Sequence, residues 1–169
     1  MDTYCEYIIK RKKGPKEALT IAGIIIGAII LSLILPSLIS MVPVISFLSP
    51  LVWVGIIWFA YKLISSKNIE FEYTLTGSDL DIDKILNRSS RKKVISVAKS
   101  EIGVVAPLGS SNLPPLNNVQ IIDATSNRPD ANIYVMTVNK ENMQAIYFEP
   151  TEKILSNLKE RNPRKVFTD

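Results

Sequence analysis

The chain has 169 residues and a formal net charge of +4, and 47% of its residues are hydrophobic. No Asp, Glu, Lys or Arg occurs between Ala18 and Tyr61, so the charges crowd into the two ends; this excludes a simple water-soluble globule, a disordered chain and a fibrous repeat. His is absent and Cys5 is the single cysteine, which excludes His-based nucleophilic or metal chemistry and an intramolecular disulfide.

Residues 1–17 form a basic N-terminal segment carrying Lys10, Arg11, Lys12, Lys13 and Lys16. Such a cluster ahead of an apolar run is a topology signal, and Lys10, Arg11, Lys12 and Lys13 are also candidate contacts for anionic lipid at about 1 kcal/mol each near the surface.

The uncharged stretch that follows is about twice the roughly 20 residues that span a bilayer, which fits two spans within residues 18–64. The spans are expected over Leu19–Ile39 and Val44–Ile64, with a break at Ser40-Met41-Val42-Pro43, where Pro43 disfavours helical geometry at Val42. A buried soluble hairpin is disfavoured because the remaining chain could hardly cover two helices apolar on every face. A cleaved signal peptide is disfavoured by the length of the run and the lack of an A-x-A site. Lys62 and Lys67 follow the second span and the connecting turn has no positive charge, so both termini are expected in the cytoplasm. Gly23 and Gly27 form a G-x-x-x-G, a small-residue face for helix packing to which Gly55 of the second span could contribute.

Beyond the spans the periodicity becomes strand-like. Residues 67–162 are expected to form one cytoplasmic β domain, with 163–169 as a tail. Ile69–Thr76 alternates apolar and polar residues, Gly77-Ser78 supplies a turn, and Asp79–Asp83 alternates again. The polar run Asn87–Lys93 is expected as a loop before a strand around Val94–Val97, and Ile102–Ala106 as another strand. Residues 107–118 are expected to be irregular. Val119–Ile122 reads as a short strand, and Ile133–Val138 with Gln144–Phe148 as a hairpin around Asn139–Asn142. Pro150 fits the first turn of a helix whose apolar stripe is Ile154, Leu155 and Leu158.

Two spans, the strand Phe71–Thr76, a turn and Leu80-Asp81-Ile82-Asp83 resemble small bacterial membrane proteins with a pleckstrin-homology-like domain. Ala145–Leu155 suits that fold's last strand and capping helix, and the whole chain is similar to an uncharacterised family of small two-span membrane proteins from clostridia and related Firmicutes. The resemblance implies a helical hairpin followed by a mainly antiparallel, pleckstrin-homology-like barrel with a C-terminal capping helix, serving as a lipid or protein contact module. Lipid-binding members of the wider fold use basic residues around the first strand turn. Taken as Thr76-Gly77-Ser78-Asp79, that turn has none, so phosphoinositide recognition does not carry over.

Chemistry is sparse. Asp79, Asp81 and Asp83 open like an EF-hand loop, but Lys84 and Ser90 stand where Gly and Glu are needed. Ser96-x-x-Lys99 matches a serine–lysine spacing without the companion motifs, and there is no Gly-rich phosphate loop. The expectation is a non-enzymatic, membrane-anchored interaction module with no cofactor and no metal. Its expected partners are membrane lipids and another membrane or cytoplasmic protein, with no nucleic acid. An accessory subunit of a transport complex and a membrane-associated enzyme are the alternatives.

Overall fold

In a computed structural model of the chain, residues 4–77, 79–140 and 142–168 are described. Residues 1–3, Ser78 and Glu141 of the two expected turns, and Asp169 lie outside the described residues. The chain divides into two compact units, a helical one from Lys13 to Asn68 and a β unit built from the residues before and after it.

The helical unit holds α1 (Pro15–Ser40) and α2 (Ser49–Ser65), with a single 3-10 turn at Ser46–Leu48 leading into α2. Pro15 occupies the first turn of α1, where its missing donor has no cost, and the Glu17 carboxylate accepts the Gly14 N–H at 3.0 Å. The helix ends at Ser40, at the break expected from the sequence. At 1.5 Å per residue α1 extends about 39 Å. Both helices, α2 counted with its 3-10 turn, are long and apolar enough to cross a membrane, and almost none of either is buried.

The β unit contains β1 (Tyr4–Lys10), β2 (Ile69–Thr76), β3 (Asp79–Leu86), β4 (Ser90–Val97), β5 (Ile102–Pro107), β6 (Gln120–Asp123), β7 (Tyr134–Asn139), β8 (Met143–Phe148) and α3 (Glu152–Arg161). The strands form two four-stranded sheets ordered β1-β2-β3-β4 and β5-β7-β8-β6. All strand pairs are antiparallel except β6 with β8, which run parallel, in keeping with the mainly antiparallel domain expected.

Alternation sets the faces. On β2 the side chains of Phe71, Tyr73 and Leu75 point inward, and on β3 those of Leu80 and Ile82 do so. They join Ile102, Val105, Met136, Ile146 and Phe148 of the second sheet and Ile154, Leu155 and Leu158 of α3 in one core. The apolar stripe expected on α3 is therefore core. Its helix is capped by Thr151, whose hydroxyl accepts the Ile154 N–H at 3.3 Å, so Pro150 stands just outside the helix instead of in its first turn.

Three boundaries differ from the sequence reading. The N-terminal segment is not separate from the β domain: β1 pairs along its whole length with β2, from Tyr4 opposite Thr76 to Lys10 opposite Glu70. Cys5 and Ile9 are buried in the common core. Pairing supplies the backbone partners that a charged, isolated segment would have to find in water. The run Ser90–Lys93 is strand, not loop, because its backbone completes the ladder on β3 while its charged side chains stay exposed. The expected tail also belongs to the fold. Val166 is 2% exposed, and the Val105 N–H and C=O bond to Lys165 O and Phe167 N, each at 2.8 Å, which covers the edge of β5.

A buried tyrosine ties the two sheets together. The Tyr73 hydroxyl donates to Ala124 O at 2.7 Å and accepts the Glu149 N–H at 3.2 Å, and its ring meets Phe148 edge-on with centroids 6.0 Å apart. Nearby, the Lys12 N–H donates to Ser126 O at 2.7 Å and Arg11 pairs with Asp123 at 2.9 Å. Ser126 N–H in turn donates to the buried Glu149 carboxylate. The end of β1 is thereby fastened to the second sheet.

Candidate functional site

The outer face of the first sheet carries Lys10 and the three aspartates that the sequence singled out. Register places Ile8, Glu72, Asp83 and Lys93 in one row across β1 to β4, and Lys10, Glu70, Ile85 and Arg91 in the next. Asp79, Asp81 and Asp83 share this face, as their spacing of two requires. Asp81 is paired with Lys93 at 3.2 Å; chiefly the hydrogen bond from Ser96, and then Lys93, hold its carboxyl below the usual range. Ser96 therefore has Asp81, not Lys99, as its side-chain partner, and the Lys99 N–H bonds to Asp79 at 3.1 Å. Among the described residues, no group of three or more His, Cys, Asp or Glu side chains is arranged to hold a metal ion.

Glu72 is the anomaly on this face, since it is only 1% exposed. Arg91 approaches both of its oxygens at 2.9 Å. Burial, then a hydrogen bond shared with Glu6, push its carboxyl above the ordinary range, against the pull of Arg91. Glu6 moves the opposite way, held low by hydrogen bonds with Tyr4 and Glu72.

Beside Glu72 lies an open groove of about 610 Å³ lined by Lys10, Glu70, Arg88, Ser89, Ser90 and Arg91, with Ile8 and Ile85 as its apolar members. Ile85 is 9% exposed yet lies outside the common core, so the groove gives the outer face an apolar patch of its own. Arg88 reaches Glu70 through Nε at 3.3 Å and remains largely exposed. Asn87 and Arg88, at the β3–β4 turn, both have positive φ, 49° and 55°. That is a conformation glycine adopts freely and arginine does not.

The basic run expected to act as one lipid contact is dispersed. Lys10 lines the groove; Arg11 pairs with Asp123 and lies 5.9 Å from the Phe71 ring centroid; Lys12 is held by its backbone at Ser126; Lys13 begins the helical unit. β1 ends at Lys10, so the four adjacent cations do not share one face of a single element. The sequence reading missed Arg88 and Arg91, which line the groove along with Lys10. The one available signal was Asn87-Arg88 at a hairpin position where Asn-Gly is usual.

In the helical unit, Gly27 and Gly55 line one apolar groove between α1 and α2, while Gly23 is not among its lining residues. The close approach expected at these glycines is absent: a Cβ at Gly23, Gly27 or Gly55 would meet no atom within 4 Å. Ile24, Leu31, Val52 and Phe59 line the same groove.

Two sheets sharing a core with a C-terminal helix define a PH-like β domain, here with a helical hairpin inserted between its first and second strands. The chain belongs to the family described as bacterial PH-like domain (DUF6106), whose model matches residues 1–168, the helical unit included. No curated protein and no solved structure matches it. With β1 in place, the connection after the first strand is not Thr76–Asp79 but the whole of residues 11–68.

Proposed function

We propose that the protein is a membrane-anchored, non-enzymatic interaction module that holds its PH-like domain at the cytoplasmic face of the bacterial membrane, with α1 and α2 as two spans and both termini inside. The observation that carries this reading is the pairing of β1 with β2. These strands precede and follow the helices, and they pair from Tyr4–Thr76 to Lys10–Glu70. Both ends of the helical unit must then lie on one side of a bilayer, which an even number of crossings satisfies and one crossing does not. The charge asymmetry supports the cytoplasm as that side: Lys10 to Lys13 and Lys16 before α1, Lys62 and Lys67 at and after the end of α2, and no charge in the intervening turn. A partner protein is the reading that the proposed anchoring favours, since a domain tethered by two spans is well placed to recruit or position another molecule at the membrane.

The test is crosslinking in native membranes followed by identification of the attached proteins. Recovery of one reproducible partner from the alkali-resistant membrane fraction is expected. A chain released into the soluble fraction by alkali, or one that crosslinks to nothing across repeated preparations, contradicts the reading.

A further inference from the structure

We propose that a single proton shared between Glu6 and Glu72 latches the first half of β1 to the sheet, and that loss of this proton as pH rises releases that end of the strand. β1 is an edge strand, paired with β2 alone. Its other end is fastened independently of any proton: the Arg11 N–H donates to Ile69 O at 2.9 Å, Arg11 pairs with Asp123, and the Lys12 N–H reaches Ser126 O. Toward Tyr4 the outer face offers a different fastening, a chain of side chains that closes only with a proton in it.

The chain runs from Tyr4 through Glu6 and Glu72 to Arg91. The Tyr4 hydroxyl donates to Glu6 Oε2 at 2.7 Å, and Arg91 Nη2 donates to Glu72 Oε1 at 2.9 Å. Between them the carboxyl groups of Glu6 and Glu72 are hydrogen-bonded to each other. Two carboxylates offer acceptors only, so that bond requires one of the pair to be protonated. Glu6 is exposed and already accepts from Tyr4. Glu72 is 1% exposed, and no donor reaches its Oε2 in a hydrogen bond. The proton therefore rests on Glu72 and the charge on Glu6, the same division that their opposed shifts describe.

The surroundings make loss of the proton costly. Asp83 of β3 lies directly opposite Glu72, and its buried Oδ1 has no hydrogen-bond partner among the described residues. Lys93 of β4, opposite Asp83, is engaged by Asp81. On β1, Ile8 faces Glu72 without a charge, and Lys10 is opposite Glu70, which Arg88 pairs. Once the proton leaves, Glu6, Glu72 and Asp83 set three negative charges against Arg91, and like charges facing one another across a ladder destabilise it. Glu6 is the member free to withdraw, because its strand is the edge. Its movement carries Cys5 out of the core and bares the edge of β2 from Tyr73 to Thr76. The latch uses residues of the β unit only, so it holds whether or not the helices cross a membrane.

The full chain in non-ionic detergent micelles tests the latch through maleimide labelling of Cys5, its single cysteine, across a series of pH values. Each rate is taken relative to the chain unfolded in denaturant at the same pH, which cancels the titration of the thiol itself. The relative rate is expected to be level at acidic pH and then to climb by about tenfold or more, since an opening linked to one proton gains up to about tenfold per pH unit. Glu72→Gln places an amide donor beside Glu6 at every pH, so its relative rate should stay level throughout. Arg91→Gln removes the cation that draws the proton off Glu72, so its climb should begin at higher pH than the parent's, a shift in midpoint that a change in fold stability alone does not produce. A level profile for the parent, a climb in Glu72→Gln as steep as the parent's, or a climb in Arg91→Gln that begins no higher would each overturn the proposal.

Discussion

Removing the side chain of Leu158 tests whether α3 is part of the β core, and the size of the effect can be worked out in advance. Leu158 is 1% exposed and lies in the cluster that also contains Tyr73, Val105 and Phe148, so both sheets border the space it fills. Truncating a leucine in such a site costs about 2–5 kcal/mol, against a total of roughly 5–15 for a domain of this size. Cys5, the single cysteine, is 7% exposed in β1 and reports opening of the same core. At about 1.4 kcal/mol per factor of ten, Leu158→Ala should speed maleimide labelling of Cys5 by about 30-fold to several-thousand-fold. Lys153→Ala, on the exposed side of α3, should leave the rate unchanged. Ile9→Ala, in the strand that carries Cys5, should accelerate it. Labelling of Leu158→Ala at the parent rate, with Ile9→Ala accelerated, would refute the placement of α3 in the core.

Tyr73→Phe keeps the ring but leaves Ala124 C=O and Glu149 N–H without their buried partner, so a loss of about 1–3 kcal/mol is expected in denaturant unfolding. Gly103→Ala would drive a Cβ into Thr137 Oγ1 and to 3.1 Å from Thr137 O, and should cost about 1–3 kcal/mol; an unchanged melting temperature would disprove that contact. Gly27→Ala meets open space and gains about 1 kcal/mol of helix propensity, so it should leave the helical unit as resistant to detergent denaturation as the parent or more so. Glu72 has a raised carboxyl pKa in the fold, so its protonated form is favoured there, and its contribution is fully present below the ordinary carboxylate range. That contribution is lost as pH rises through the raised value, and Glu72→Gln should flatten the fall in melting temperature over that interval. An equal slope in both proteins would show that another group controls it.

Much of the architecture was legible because local periodicity coincides with burial. Phe71, Tyr73 and Leu75 alternate with polar neighbours and all point into the core, and Ile154, Leu155 and Leu158 form a helical stripe that is buried along its length. β1 escaped notice for two physical reasons. Ile8 sits at an outward position, where it blurs the alternation, and the partner strand begins about sixty residues later, beyond the reach of any local signal. Ser90–Lys93 failed in the opposite sense: four polar residues resemble a loop, yet an edge position on β3 tolerates them. Val166 is buried only because residues 165–167 return to β5, a contact that its flanking Lys and Phe do not announce. The groove was illegible for the same reason as β1, since Lys10, Glu70 and Arg88 come together only through strand register.

The central claim is that the PH-like domain is held inside the cell by a helical hairpin inserted between β1 and β2. It is tested most directly by labelling single cysteines in intact bacteria with a membrane-impermeant maleimide, in a Cys5→Ser background. Val44→Cys, in the turn between α1 and α2, should label in intact cells. Asn112→Cys, in the exposed loop before β6, should label only after the membrane is opened. Labelling of Asn112→Cys in intact cells, or equal protection of both positions, would contradict the account.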